Sequence, residues 1–263
     1  MTAISDLDQR ELALLAIARE AGELARRRFL DRSSFTVKFK GPQDFITEAD
    51  GEVEQLITGK LGAAFPDDTF LGEETGGTPG RRVWVIDPID GTANFARGIA
   101  HFCVSIAFVE DGKIKLGAIY QPMSREMFAA RLGKGATLDG APMKVTTTSR
   151  IEDSTIELGW SKRRPNKDYT DTGLRILEAG SSFRRCASGA LGLAFVAAGR
   201  TDGYFERHIN SWDCLAGILM VNEAGGWAND FLVGDGLTKG GPVLGTNAAL
   251  KDAIAKLVDA ERG

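Results

Sequence analysis

The stretch W-V-I-D-P-I-D-G-T-A-N-F, residues 84–95, decides the reading of this chain. Val83–Ile86 read as a short buried strand that ends at Asp87. Pro88 stiffens the turn that follows, and a second carboxylate, Asp90, stands three residues after the first. Gly91 comes next, without the side chain that would hold the backbone away from a phosphate. Two carboxylates on one turn at the end of a buried strand repel each other unless a cation neutralises them. Oxygen-only ligation suits a hard divalent cation such as Mg²⁺.

Further acids end apolar stretches on either side: Glu73-Glu74 in L-G-E-E-T, Asp213 in S-W-D-C-L-A-G, and Asp50 at the start of a helix. Each has a plain structural reading when taken alone. Asp213 fits the first turn of a helix, favoured by the macrodipole, and Asp50 closes a capping box with Thr47. With Asp87 and Asp90 they become a candidate multi-metal site, which needs a bridging carboxylate and a hydroxyl that orients an attacking water. Thr92 suits the second role, able to take the proton of that water and pass its own on to Glu73. The backbone N–H groups of Gly91 and Thr92 would hold phosphate oxygens if a helix starts there.

Other phosphate chemistries fail on spacing. The chain has no G-x-x-x-x-G-K-[ST], no cysteine with an arginine six positions later, and D-x-x-D in place of D-x-D. Its two histidines, His101 and His208, are too few for a histidine-rich centre, and His101 reads as structural. Trp84 and Trp212 precede acidic candidates and read as packing that fixes them. Lys40, in the loop F-K-G-P-Q-D-F, would either close over the site or be solvated.

Composition bounds the rest. A chain of 263 residues with 43% hydrophobic and 26% charged residues can bury a sizeable core. A net charge of −4 argues against nucleic acid as a partner. Cys103, Cys186 and Cys214 lie far apart, which suggests reduced thiols in a cytoplasmic protein. No apolar run approaches the ~18 residues of a membrane span, and the N-terminus lacks a signal-peptide pattern.

Apolar spacing predicts a helix over 6–30 and a second after Asp50, then a strand-rich middle with a hairpin joining 102–109 to 114–120. From about residue 150 strands and helices alternate, with helices near 168–179, 188–198, 211–224 and 248–260. The organisation expected is an N-terminal α+β half, residues 1–145, carrying most metal ligands. A C-terminal α/β half, residues 146–263, would carry Asp213 and, by the family resemblance described next, the pocket for the substrate alcohol.

Several ordered motifs then resemble the inositol monophosphatase family of Mg²⁺-dependent, often Li⁺-inhibited phosphatases. They are T-E-A-D (47–50), F-L-G-E-E-T (70–75), the 84–95 run, R-R-C-A-S-G-A-L (184–191), G-Y-F-E (203–206) and S-W-D-C-L-A-G (211–217). The resemblance implies an α/β fold, the αβαβα five-layer sandwich of the inositol monophosphatase/fructose-1,6-bisphosphatase type, commonly a homodimer. It implies that Glu73, Asp87, the Ile89 carbonyl, Asp90 and Asp213 bind two Mg²⁺ ions, with Asp87 as bridge, and that Thr92 and Glu73 activate water. Asp50 would support this proton network or a weaker third ion. Gly91 and Thr92 would bind phosphate, and Glu206 with Ala187, Ser188 and Gly189 the polyol. Family members often read R-R-x-G-S-A-A-L, so this chain exchanges Gly and Ala at 187 and 189. The activity implied is hydrolysis of myo-inositol phosphate. Histidinol phosphate, a sugar phosphate or a 3′-phosphoadenosine nucleotide are alternative small-metabolite substrates, and a partner-binding role on the same scaffold, as in transcription complexes, is the alternative outside enzymes.

Overall fold

The computed structural model describes residues 5–31, 37–41 and 44–258, with backbone alone at 37–41 and 44–47. Helix α1 (Asp6–Leu30) begins at Ser5, whose hydroxyl and the Asp8 carboxylate satisfy each other's backbone N–H in a capping box. Strands β1 (Val37–Gly41) and β2 (Asp44–Thr47) pair antiparallel where the sequence reading places a loop. V-K-F-K carries the period-two alternation of a strand, which the neighbouring Gly41-Pro42 obscures. The side chains of Lys40 and Thr47, and with them the closing-lysine and capping-box expectations, lie outside the described residues. Helix α2 (Glu48–Ala64) follows.

β3 (Thr69–Gly72), β4 (Arg82–Asp90), the short helix α3 (Thr92–Arg97), β5 (Cys103–Glu110), β6 (Lys113–Gln121), β7 (Glu126–Arg131), β8 (Gly135–Leu138) and β9 (Ala141–Pro142) come next. Their strands form one sheet in chain order, β3–β4 parallel and the other pairs antiparallel. Then follow β10 (Thr155–Leu158), α4 (Asn166–Glu178), β11 (Ser182–Arg184), α5 (Gly189–Ala197), β12 (Gly203–Ile209), α6 (Ser211–Glu223), β13 (Trp227–Ala228), α7 (Gly236–Lys239), β14 (Gly241–Thr246) and α8 (Lys251–Val258). The second sheet has the order β11-β10-β12-β14-β13. The helix expected over 248–260 is described from Lys251 to Val258, residues 259 and 260 lying outside the described part.

Three apolar cores separate the layers. Leu14 and Ala18 of α1 and Val53 and Ile57 of α2 pack on Trp84, Ile106 and Phe108 of the first sheet. Between the sheets, α5 and α6 meet Val83, Val85 and Ile119 on one side and Tyr204 and Val243 on the other. Ile176 of α4 and Ile254 of α8 cover the far face of the second sheet. The stack is therefore the expected α/β/α/β/α sandwich. Every residue of α5 is buried, as a helix apolar all round requires. No helix among the described residues is long and apolar enough to cross a membrane.

The decisive stretch differs from its sequence reading. β4 does not stop at Asp87 but runs through Pro88 to Asp90. Asp87 pairs with Ser105 and Asp90 with Cys103, so three steps on β4 oppose two on β5. The extra residue is a β-bulge, a position that tolerates proline's missing donor. Residues three apart on a regular strand face opposite sides. The bulge cancels that alternation, and Asp87 and Asp90, like Ser105 and Cys103, share a face.

Candidate active site

Three elements bring three carboxylates together. Gly72 of β3 pairs with Ile86 of β4, and the Glu73 N–H donates to the Ile86 carbonyl at 3.1 Å, which sets Glu73 beside the end of β4. Asp213 lies in the first turn of α6, where its Oδ2 accepts from Asn210 N at 3.0 Å. Its cap role is real, yet the same side chain also reaches Asp87. One oxygen from each of Glu73, Asp87 and Asp213 lies within 4.8 Å of the others. Burial first, and then the charges of Glu73, Asp90 and Asp213, push the Asp87 carboxyl well above its ordinary range. Burial also raises Asp213. A mutually repelling, all-oxygen donor set, buried at Asp87 and half-buried at Glu73 and Asp213, fits a hard divalent cation.

Asp90 stands apart from that trio. Its Oδ2 accepts from Ser188 Oγ at 2.6 Å and Ala190 N at 2.7 Å, and its Oδ1 from Gly189 N at 3.3 Å, so it sits on the N-terminus of α5. Burial and then Asp213 hold it at about 7 despite these donors. Ile89 is buried, and its carbonyl accepts from Thr92 Oγ1 at 2.9 Å, leaving a second lone pair for a cation. The Thr92 hydroxyl also lies 3.3 Å from Oδ1 of the fully buried Asp50. Asp50 thus lies within hydrogen-bond reach of this hydroxyl, a second carboxylate beside the Glu73 expected from the sequence. Gly91 caps α3 at φ 98°, and a Cβ there would lie 3.0 Å from the His101 carbonyl. Only glycine combines that backbone with that clearance.

A cleft of about 240 Å³ opens beside these groups, lined by Asp90, Asp213, Ser188, Glu206 and, further out, Trp160 and Arg163. Glu206 of β12 accepts from the Tyr204 hydroxyl at 2.7 Å, and burial pushes it up to about 8. Ala187 adopts φ 58°, a left-handed backbone that costs a non-glycine residue roughly 1–2 kcal/mol. Gly189 meets the opposite demand: a Cβ there would lie 2.6 Å from Ile209 Cδ1 and 3.1 Å from Tyr204 Oη. The exchange of Gly and Ala at 187 and 189 therefore strains one position and makes room for Ile209 and Tyr204 at the other.

His101 packs on Phe195, and one of its ring nitrogens lies within 4.8 Å of ligand atoms of Glu157 and Cys186. Trp84 is fully buried, stacked on Phe65, and donates from Nε1 to Asp68 at 3.0 Å. Trp212 packs against the inter-sheet core. The three cysteines are free thiols.

Sequence reasoning missed several supporting groups. Glu54 of α2 is fully buried and accepts from Glu74 N at 3.0 Å, Thr75 N at 2.9 Å and Thr75 Oγ1 at 2.5 Å. It clamps the turn that carries Glu73. The signal was an acid directly beside Val53 on a face continued by Ile57 and Leu61. Asn94 donates to the carbonyls of His101 and Cys186, both at 2.8 Å, and ties α3 to the 186–189 loop. Glu157 of β10 is buried, and burial holds it at about 7 against the nearby Arg184.

The profile of the inositol monophosphatase family matches residues 6–262. An inositol-1-monophosphatase from Rhizobium meliloti is 34% identical over 244 residues, 91% of this chain and 92% of that protein. The Escherichia coli K12 protein named Nus factor SuhB is 36% identical over 250 residues, 92% and 93% of the two chains. The structure of the extragenic suppressor protein suhB from Bartonella henselae superposes with a TM-score of 0.89 at 34% identity, over 95% of this chain and 98% of that one. A carboxylate cluster at the end of a bulged strand, set in this fold and matched over nearly the full length, identifies the chain as a phosphomonoesterase that belongs to the inositol monophosphatase family.

Proposed function

We propose that the protein is a Mg²⁺-dependent phosphomonoesterase acting on the phosphate ester of a small polyol, with myo-inositol 1-phosphate as the first candidate. The observation that carries this reading is the juxtaposition of the Glu73–Asp87–Asp213 cluster with the Thr92–Asp50 pair at one end of a polar cleft. Glu73, Asp87 and Asp213 would hold two Mg²⁺ ions with help from Asp90 and the Ile89 carbonyl, and Asp50 would support a third. When bound, such ions supply an activated water and a counter-charge for phosphate oxygens and the departing alkoxide.

The chain's own groups do the positioning. Thr92 Oγ1 would accept a hydrogen bond from the attacking water, with the Ile89 carbonyl at 2.9 Å and Asp50 Oδ1 at 3.3 Å as the acceptors open to its own proton. Gly91 and Thr92, at the start of α3, offer backbone N–H groups to the phosphate. Glu206, oriented by Tyr204, binds a hydroxyl of the alcohol, and the 187–189 loop, tied down by Asn94, closes the pocket.

The test is phosphate release from myo-inositol 1-phosphate, with and without Mg²⁺, in EDTA and in LiCl. Activity that requires Mg²⁺, falls with Li⁺ and is lost in Asp213→Asn supports the reading. Turnover in EDTA equal to that in Mg²⁺ overturns it. A homodimer is the assembly expected, to be read by sedimentation equilibrium. The name Nus factor carried by relatives motivates a second reading, a partner-binding role. A protein captured equally by wild type and Asp213→Asn would support it.

A further inference from the structure

The cleft beside the carboxylates has a floor and a rim of opposite charge. Of its lining, Asp90 is buried and Asp213, Glu206 and Trp160 are half-buried, whereas Arg163 and Arg185 are exposed. The basic residues here come from two short runs, K-R-R at 162–164 and R-R at 184–185, in a chain whose net charge is −4. Their fates differ. Arg164 is paired with Asp168 at 3.5 Å. Arg184 is spent on the Cys186 sulfur, at 2.7 and 3.0 Å, and on Glu157 at 3.5 Å. Among the described residues neither Arg163 nor Arg185 forms an ion pair or a carboxylate hydrogen bond. Arg185 rests 5.7 Å from the centre of the Trp160 ring, which gives its guanidinium a platform. Each lies close enough to be felt by a carboxylate of the lining, Arg163 by Asp213 and Arg185 by Glu206.

Two unspent guanidinium groups facing the alcohol end of a phosphatase cleft call for an anion that is not the reacting phosphate. Planar guanidinium donors match carboxylate and phosphate oxygens in pairs. We infer that the enzyme prefers polyol phosphates whose alcohol part carries a second anionic group, a phosphate or a carboxylate, held by Arg163 and Arg185. This rests on the phosphomonoesterase reading above and adds a substrate class to it. A cationic alcohol would meet the same two arginines and be disfavoured.

Matched substrate pairs test it. Fructose 1-phosphate against fructose 1,6-bisphosphate and myo-inositol 1-phosphate against myo-inositol 1,4-bisphosphate add a phosphate. Glycerol 2-phosphate against 2-phosphoglycerate replaces a hydroxymethyl group by a carboxylate on the same three-carbon skeleton. The expected result is a kcat/KM for the member with the second anionic group about tenfold or more above its partner in at least one pair, carried by KM. The pair that shows it tells phosphate from carboxylate. In Arg163→Gln/Arg185→Gln that ratio should fall at least fivefold, and each single variant should lose part of it. Equal kcat/KM within every pair, or a ratio that survives in the double variant, overturns the inference. A double variant that loses equally on both members assigns the arginines to the reacting phosphate and overturns it too. If neither member of any pair releases phosphate with Mg²⁺ or Mn²⁺, the phosphomonoesterase reading has failed. Calorimetric affinities for the same pairs then decide the arginine claim alone, equal affinities counting against it.

Discussion

Asp87 and Asp213 each hold a carboxylate in a place the folded chain alone tolerates poorly, since burial and like charge both oppose ionisation. Replacing Asp213 with Asn should therefore cut kcat/KM by about 100-fold or more, in line with loss of a charge-stabilising group. The melting temperature in EDTA at pH 8 should not fall, which circular dichroism would check. A second consequence concerns pH. Glu157 is held at about 7 and Glu206 at about 8, whereas unfolded glutamates titrate near ~4.3. The native state thus binds more protons than the unfolded chain over that interval, so stability falls as pH rises through the two folded values. The cation-free protein should melt lower at pH 8.5 than at pH 6.5, and Glu206→Gln should flatten the difference. An unchanged slope in that variant would assign the effect elsewhere. At position 187, Ala→Gly should stabilise by about 1 kcal/mol if strain relief exceeds the added chain entropy, measured by urea unfolding. These residue roles were unevenly legible. Carboxylates at element ends stand out in a sequence, whereas φ 58° at an alanine and a carboxyl held at about 8 exist only after packing.

At the scale of elements, the site is a set of ends held in register. β4 supplies Asp87 and Asp90 on one face only because its bulge adds a residue. α2 contributes Asp50 to the Thr92 hydroxyl and, one residue beyond Val53, Glu54 to the turn after β3. Glu54→Gln swaps one acceptor oxygen for a donor amide facing N–H groups that already donate. The expected loss is about 1–3 kcal/mol for donors left unsatisfied, read by urea unfolding. The Mg²⁺ concentration for half-maximal activity should also rise, with turnover at saturating Mg²⁺ largely kept, because Glu73 would be present but less well placed. Turnover that stays low at every Mg²⁺ concentration would instead mean that the turn no longer delivers Glu73. Periodicity showed most of these elements within a few residues. It missed β1 and β2 and ended β4 early, because proline and glycine mark a bulge and a turn alike.

For the whole molecule, the inter-sheet layer makes the two chain halves depend on each other. α6, from the C-terminal half, carries Leu215 and Leu219 into one core with Val85, Ile119 and Phe128 of the first sheet. Asp213 reaches Asp87 from that helix. Residues 1–145 and 146–263, expressed separately, should each expose this core and fail to give dispersed NMR spectra. Two well-folded fragments would show that the halves are autonomous. Mixing them should restore little activity unless α6 docks.

The sequence by itself determined the chemistry and the class of fold. Asp and Glu at element ends offer oxygen ligands, Gly91 permits a close backbone approach, and apolar periods of two and 3.6 lay out sheets and helices whatever their arrangement. Tertiary structure alone decided which groups converge. The Thr92 hydroxyl meets Asp50 from a separate helix, Asp90 is held by the N-terminus of α5, and among the described residues Arg164 and Arg184 are paired whereas Arg163 and Arg185 form no ion pair. These are distances between elements far apart in the chain, set by layer packing and a one-residue bulge, and local residue order does not encode them.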